Sequence, residues 1–183
     1  MGQEKVRLYH GSNTAIERPR IALNTGFADL GKGFYLTTDH EAALGRAKKR
    51  ARDAGGTATV SVFELDESCV PWIAWGANKD ALVAADTPFG LRFEKSSAGY
   101  AAWASYIKAC RCGQAELPGI GAPAIVRAWI ATMEVEMVCS GFLTAEELAQ
   151  ATDPAELIVQ YCILDQDILN NDLALVGTET LVI

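Results

Sequence analysis

A chain of 183 residues suits one ordinary domain spanning residues 1–183, and at this size folding buries roughly 70% of the surface exposed in the unfolded chain. Half of the residues are hydrophobic, 21% are charged and the formal net charge is −7, which argues against a disordered tail, a collagen-like repeat or a small disulfide scaffold. That charge has the wrong sign for a protein that neutralises many phosphates, so nucleic acid is not an expected partner.

Lys5 to Tyr9 alternates apolar and polar residues and reads as a short strand ending at His10-Gly11-Ser12. Asn13 to Gly31 reads as loop, broken by Pro19, Asn24 and Gly26. Phe34 to Thr37 is a second strand. Thr38-Asp-His-Glu41 has the pattern of a capping box, with Thr38 as N-cap, opening a helix over Ala42–Asp53 that stops at Gly55-Gly56. The bunched cations from Arg46 to Arg52 spread over more than one face of this helix and read as a solvated surface. Thr57 to Leu65 alternates as a strand, whereas residues 69–94 carry no clear period.

From Ser96 to Cys110, the apolar positions Tyr100, Trp103, Ala104 and Ile107 fall on one helical face, closed by Gly113. Ile125 to Val138 is β-rich and reads as a strand or a bent pair. Thr144-Ala-Glu-Glu147 is a second capping box opening a brief helix, and Leu157–Leu164 and Leu173–Ile183 are closing strands. Strands outnumber helices and come early and late, so the expected class is α+β with a mainly antiparallel, split sheet and peripheral helices.

The five cysteines, Cys69, Cys110, Cys112, Cys139 and Cys162, are odd in number and irregularly spaced, so they read as reduced, mostly buried thiols with Cys112 the most exposed. His10 and His40 lie far from them in sequence, and no zinc site or other metal is implied. No apolar run is long enough to cross a membrane and the first residues lack the apolar stretch of a secretory signal, so the expectation is a soluble protein without a membrane partner. Of the four tryptophans, Trp103 fits the buried helix face. Trp72 and Trp75 read as core or as anchors for a partner.

Two segments carry the chemistry: Leu8-Tyr-His-Gly-Ser12 and Asp29-Leu-Gly-Lys-Gly-Phe-Tyr-Leu-Thr-Thr38. Alone, a His at a strand end reads as a capped residue and Gly-Lys-Gly as a turn, without the spacing of a P-loop. Together, His-Gly closing one strand and Leu30-Gly31-Lys32-Gly33-Phe34-Tyr35-Leu36 opening the next resemble the ADP-ribosyltransferase superfamily of the His-Tyr-Glu type, with its FGKGIYF signature. The wider phrasing is similar to a small bacterial branch that includes translocated effectors acting on a threonine of host ubiquitin. The firm resemblance covers residues 5–50, about a quarter of the chain.

The resemblance implies a protein made in the bacterial cytoplasm, translocated into a host cytosol if it is such an effector, that moves ADP-ribose from NAD to a protein hydroxyl. It implies that His10 bonds a ribose hydroxyl of NAD, that the Gly11 backbone holds the nicotinamide carboxamide and that the Tyr35 ring lies against the nicotinamide. Ser12 lines the same pocket, and Leu30, Gly31, Lys32, Gly33 and Phe34 border the cofactor. The family's Glu falls here on Gln160, which can hold the 2′-hydroxyl but cannot act as a base. Glu156 is the alternative third residue, and Asp29 is the candidate for a base acting on the acceptor. Where the polymerases carry a second aromatic over the nicotinamide this chain has Arg46, which either stacks there or faces outward. The alternatives to transfer are an NAD glycohydrolase, or a degenerate module that binds NAD or protein without turnover.

Overall fold

The computed structural model describes residues 5–21, 28–75, 87–113, 121–151 and 157–181. Among these, eight strands form one sheet: β1 (Lys5–Ser12), β2 (Phe34–Thr37), β3 (Thr59–Asp66), β4 (Trp72–Trp75), β5 (Gly90–Phe93), β6 (Ile125–Trp129), β7 (Val159–Ile163) and β8 (Leu173–Thr180). Their order is β4-β5-β6-β7-β2-β1-β3-β8. The β4–β5 and β5–β6 pairs are parallel and the rest antiparallel. The helices are α1 (His40–Ala54), α2 (Ser97–Arg111), α3 (Met133–Cys139), α4 (Ala145–Ala151) and α5 (Gln166–Asn171). The protein is α+β, and its sheet is split at the centre. β1 runs along β3 from end to end, yet meets β2 only at Tyr9–Thr37.

Side chains alternate across a sheet, so this pairing sorts the residues onto two faces. Tyr9, Gly11, Tyr35, Thr37, Gln160 and Cys162 share one face; Leu8, His10, Phe34, Leu36, Tyr161 and Ile163 share the other. On the first face α1 lays Ala43, Ala47 and Ala51, spaced by single turns, against Tyr9 and Val60. α2 covers the other end of that face with Tyr100, Trp103, Ala104 and Ile107, the stripe visible in the sequence. The second face holds its own core of Leu8, Phe34, Leu36, Phe63, Tyr161 and Ile163, closed by Ile168 and Leu169 of α5.

Local chemistry fixes most of the helix ends. Ser96 Oγ accepts from Gly99 N at 3.1 Å to start α2, and Gly113 takes φ 78 just after it. The Thr144 box is reciprocal: Thr144 N donates to Glu147 Oε2 at 2.7 Å while Glu147 N donates to Thr144 Oγ1 at 3.2 Å. The N-cap of α1 is Asp39 rather than Thr38, its carboxylate accepting from Ala42 N at 2.7 Å. Thr38 is drawn back into the sheet because its N–H bonds Val159 O at 3.2 Å.

The β-rich reading of Ile125–Val138 holds only as far as Trp129; from Met133 the chain is helical. Met133 and Met137 stand one turn apart and Val135 turns into the core, a helical arrangement that a short alternating run does not distinguish from a strand. Residues 69–94 contain β4 and β5, and their crossovers place two parallel strands at the sheet edge. Trp72 and Trp75 are half-buried strand residues packed on the two cores, and the Trp72 indole donates to Glu67 O at 2.8 Å. No helix among the described residues is long and apolar enough to cross a membrane.

Candidate functional site

The parting of β1 from β2 opens a cleft of about 760 Å³ between the inner edge of α1, the loop after β1 and the centre of the sheet. It gathers His10, Gly11, Ser12, Asp29, Gly33, Phe34, Tyr35 and Gln160, residues that are far apart in sequence. Its size and its mixture of apolar walls with a few polar groups are those of a small-molecule site.

His10 bridges the two strands where their ladder ends. Its Nδ1 lies 2.7 Å from Tyr35 O, and since a carbonyl only accepts, Nδ1 carries the proton. Burial holds the imidazole below its ordinary pKa of 6.5, the Tyr35 carbonyl bond opposes this, and Arg46 and Arg50 push further down. At neutral pH the ring is uncharged and Nε2 is a bare acceptor, suited to a hydroxyl. Phe34 fixes the ring plane by stacking beneath it, with centroids 4.5 Å apart.

Gly11 is required by packing: a Cβ there would sit 1.9 Å from Ala43 O of α1. The bare backbone lets the helix close to within contact of β1, forming one wall of the cleft. Gly33 is equally constrained on the other side, where a Cβ would meet Cys162 Sγ and Ile163 O of β7, each at 2.5 Å. Gly31, at φ 102, makes the turn that only glycine takes freely.

Tyr35 ties that turn to the sheet. Its hydroxyl donates to Gly31 O and accepts from Leu30 N, both at 2.8 Å, so the ring is fixed from its far end. Burial raises the phenol far above its ordinary pKa, and it stays protonated. Gln160 stands beside it on the same face; Nε2 donates to Trp129 O at 2.8 Å, which orients the amide and leaves Oε1 as an acceptor. Cys162, opposite Tyr35, is pushed up to about 12 by burial, so it is a packing thiol and no nucleophile.

Three expected cofactor contacts fall elsewhere. The Leu30 side chain is fully buried in the core under α2, and its backbone serves Tyr35. Lys32 points to solvent, and Lys32 and Gly31 stand outside the cleft lining, because Gly31 turns the loop away before β2 begins. His10 and Tyr35 are neighbours joined through the Tyr35 carbonyl, yet their rings leave opposite faces of the sheet.

Asp29 does line the cleft, but Oδ1 is gripped by Arg111 Nε and Nη2 at 2.9 and 2.7 Å. The other side of that guanidinium holds both Glu136 oxygens at 2.6 Å, and these partners raise the Arg111 pKa and lower that of Glu136. Asp29 thus straps the loop to α2 and α3. Glu156 lies outside the described residues.

The sequence reading misses the rim. Arg18 and Arg20 from the loop and Arg46 and Arg50 from α1 all line the cleft, and among the described residues none has a carboxylate partner. Arg46 and Arg50 are one helical turn apart, a spacing readable in the sequence; their union with Arg18 and Arg20 is not. Arg46 is exposed and lines the cleft. The described cysteines are all free, Cys112 exposed and Cys110 and Cys162 buried.

These features define an α+β protein with a split central sheet and an arginine-rimmed cleft at the split. A family model described as "Protein of unknown function (DUF3990)" matches residues 6–77, from β1 through the loop, β2, α1 and β3 to β4. The match spans less than half of the chain, and that description assigns no activity. No curated protein and no solved structure matches the chain at a significant level.

Proposed function

We propose that the protein is an NAD-dependent mono-ADP-ribosyltransferase that modifies a protein side chain, with a threonine or serine hydroxyl as acceptor and ubiquitin as the leading target. The observation that carries this reading is the uncharged His10 with its bare Nε2, set beside Gly11, Tyr35 and Gln160 inside a cleft rimmed by four arginines. A dinucleotide has complementary parts. Its diphosphate suits the guanidinium rim, its ribose hydroxyls suit Nε2 and the Gln160 Oε1, and its flat nicotinamide suits an anchored aromatic ring.

Bound NAD supplies a glycosidic bond whose cleavage sends its electron pair out with nicotinamide and leaves a cation-like ribose. The residues' task is orientation and charge placement rather than strong acid catalysis. His10 accepts a ribose hydroxyl hydrogen bond. Gly11 stands on a strand edge without a β2 partner, where its peptide groups can hold a carboxamide. Tyr35, pinned by its hydroxyl, offers a fixed surface for the leaving ring. Gln160 accepts from the 2′-hydroxyl without taking its proton, which favours a single transfer over chain growth.

The test is incubation of the purified protein with NAD, with and without ubiquitin and a cell lysate, followed by intact mass. A gain of one ADP-ribose on a protein supports the reading, and fragmentation names the acceptor. Free ADP-ribose and nicotinamide with no modified protein would make it a glycohydrolase. NAD intact in every tube would overturn turnover altogether and leave a binding module.

A further inference from the structure

Among the described residues, four of the six exposed large apolar side chains lie between Ile130 and Phe142, and the other two, Leu175 and Val176, are on β8. Met133 is 76% and Phe142 79% exposed, and Met137 and Ile130 are each more than a third exposed. Met133 and Met137 stand one turn apart on α3, and the Phe142 N–H bonds Met137 O at 2.8 Å, which sets Phe142 beside that turn. Ile130, three residues before Met133, lines the cleft, so the apolar surface begins at the mouth of the site. Single exposed apolar residues are ordinary, but a continuous set joined to a site marks an interaction surface. Methionine is suited to contact surfaces that must adapt their shape.

The segment that carries this surface is acidic, and Arg111 of α2 pairs with one of its carboxylates, Glu136. From Ala128 to Ile183 the chain has ten acidic residues and no Lys, Arg or His. Glu134 on α3 is part-exposed and Glu146 on α4 exposed, and neither has a cationic partner among the described residues. A second copy docked through the same face would bring acid against acid, and charge complementarity selects a partner whose contacting face is basic.

We propose that Ile130, Met133, Met137 and Phe142 form the docking surface for the acceptor protein, whose contacting face is apolar at its centre and basic around it. The inference rests on the transferase reading and adds to it where the target sits. A partner seated on α3 meets the cleft at Ile130, which comes from a different part of the chain than the arginines that line it. The basic wall then takes NAD and the acidic wall takes the target.

The test labels the methionine methyls with ¹³C; the chain has three methionines, so Met133 and Met137 report on the surface and Met1 serves as a control. The probes are an amphipathic leucine–lysine peptide and its leucine–glutamate counterpart. The lysine peptide shifts the Met133 and Met137 signals and the glutamate peptide does not. In parallel, the double variant Met133→Lys, Phe142→Lys raises the KM for the acceptor about tenfold or more, as loss of two anchor residues does. Release of nicotinamide without acceptor stays at the wild-type rate.

No shift with the lysine peptide, equal shifts with both peptides, or an unchanged acceptor KM would each overturn the docking surface. If the wild-type protein transfers to no protein at all, the activity reading falls and the acceptor falls with it as the occupant. A positive methyl shift in that case distinguishes the two failures.

Discussion

Gly11 shows how one side chain, by being absent, shapes the site. A methyl group at Gly11→Ala would lie 1.9 Å from Ala43 O, a backbone atom that cannot turn aside. Helix α1 must move off β1, at a cost of about 1–3 kcal/mol by the usual scale of overpacking. The expected outcome is a lower urea midpoint together with weaker NAD binding, because the same helix carries Arg46 and Arg50. Gln160→Glu puts a carboxylate against the Trp129 carbonyl that Nε2 now serves, removing a buried hydrogen bond worth about 1–3 kcal/mol when left unsatisfied. Stability falls in a urea titration, and if Gln160 is the third site residue, activity or product changes as well. Wild-type activity with no change in product would place that residue elsewhere. The pair His10–Tyr35 was legible in the sequence from its flanking motifs. The role of the Tyr35 hydroxyl was not, because it depends on the turn at Gly31 folding back within reach.

At the scale of elements, helices announced themselves by their ends and strands by their alternation. Ser96 and Gly113 bracket α2, and Thr144 with Glu147 opens α4 by the two reciprocal bonds the pattern specifies. The α1 cap slipped by one residue because a tertiary bond from Thr38 to Val159 outcompeted a local pattern, and no single-sequence signal carries that information. Short α3 and α5 escaped notice because six or seven residues hold too little of a helical period to set against alternation. Thr144→Ala tests the cap: the bond from Glu147 N to Thr144 Oγ1 is lost while the one from the residue 144 backbone N–H to Glu147 is kept, at a cost of about 1 kcal/mol. The cap lies outside the cleft lining, so nicotinamide release is expected to hold while the urea midpoint drops.

Across the whole molecule, basic residues end at Arg127, and the acidic remainder supplies β7, β8 and the α3–α5 helices. One contact between the two parts titrates near neutrality. His40 at the start of α1 bonds Glu179 of β8 at 2.6 Å, and that bond raises the imidazole pKa. A raised folded pKa adds stability below about 6.5, lost as pH rises through the folded value. His10 works in reverse: its folded pKa is depressed, so its contribution is present above about 6.5 and fades as the pH falls below that. The two partly offset each other on acidification. Substituting His40→Asn leaves the His10 loss unopposed, so the melting temperature of that variant drops further than wild type between about pH 7.5 and 5.5.

The most direct measurement is nicotinamide release from NAD by the wild-type protein and by His10→Ala and Tyr35→Ala, with a cell lysate present and the fold of each checked by its melting curve. The account predicts steady release by wild type and a fall of about a hundredfold or more in each variant, the usual scale for losing a positioning contact in the transition state. Folded variants that release nicotinamide at the wild-type rate would contradict it, as would a wild-type protein that leaves NAD untouched.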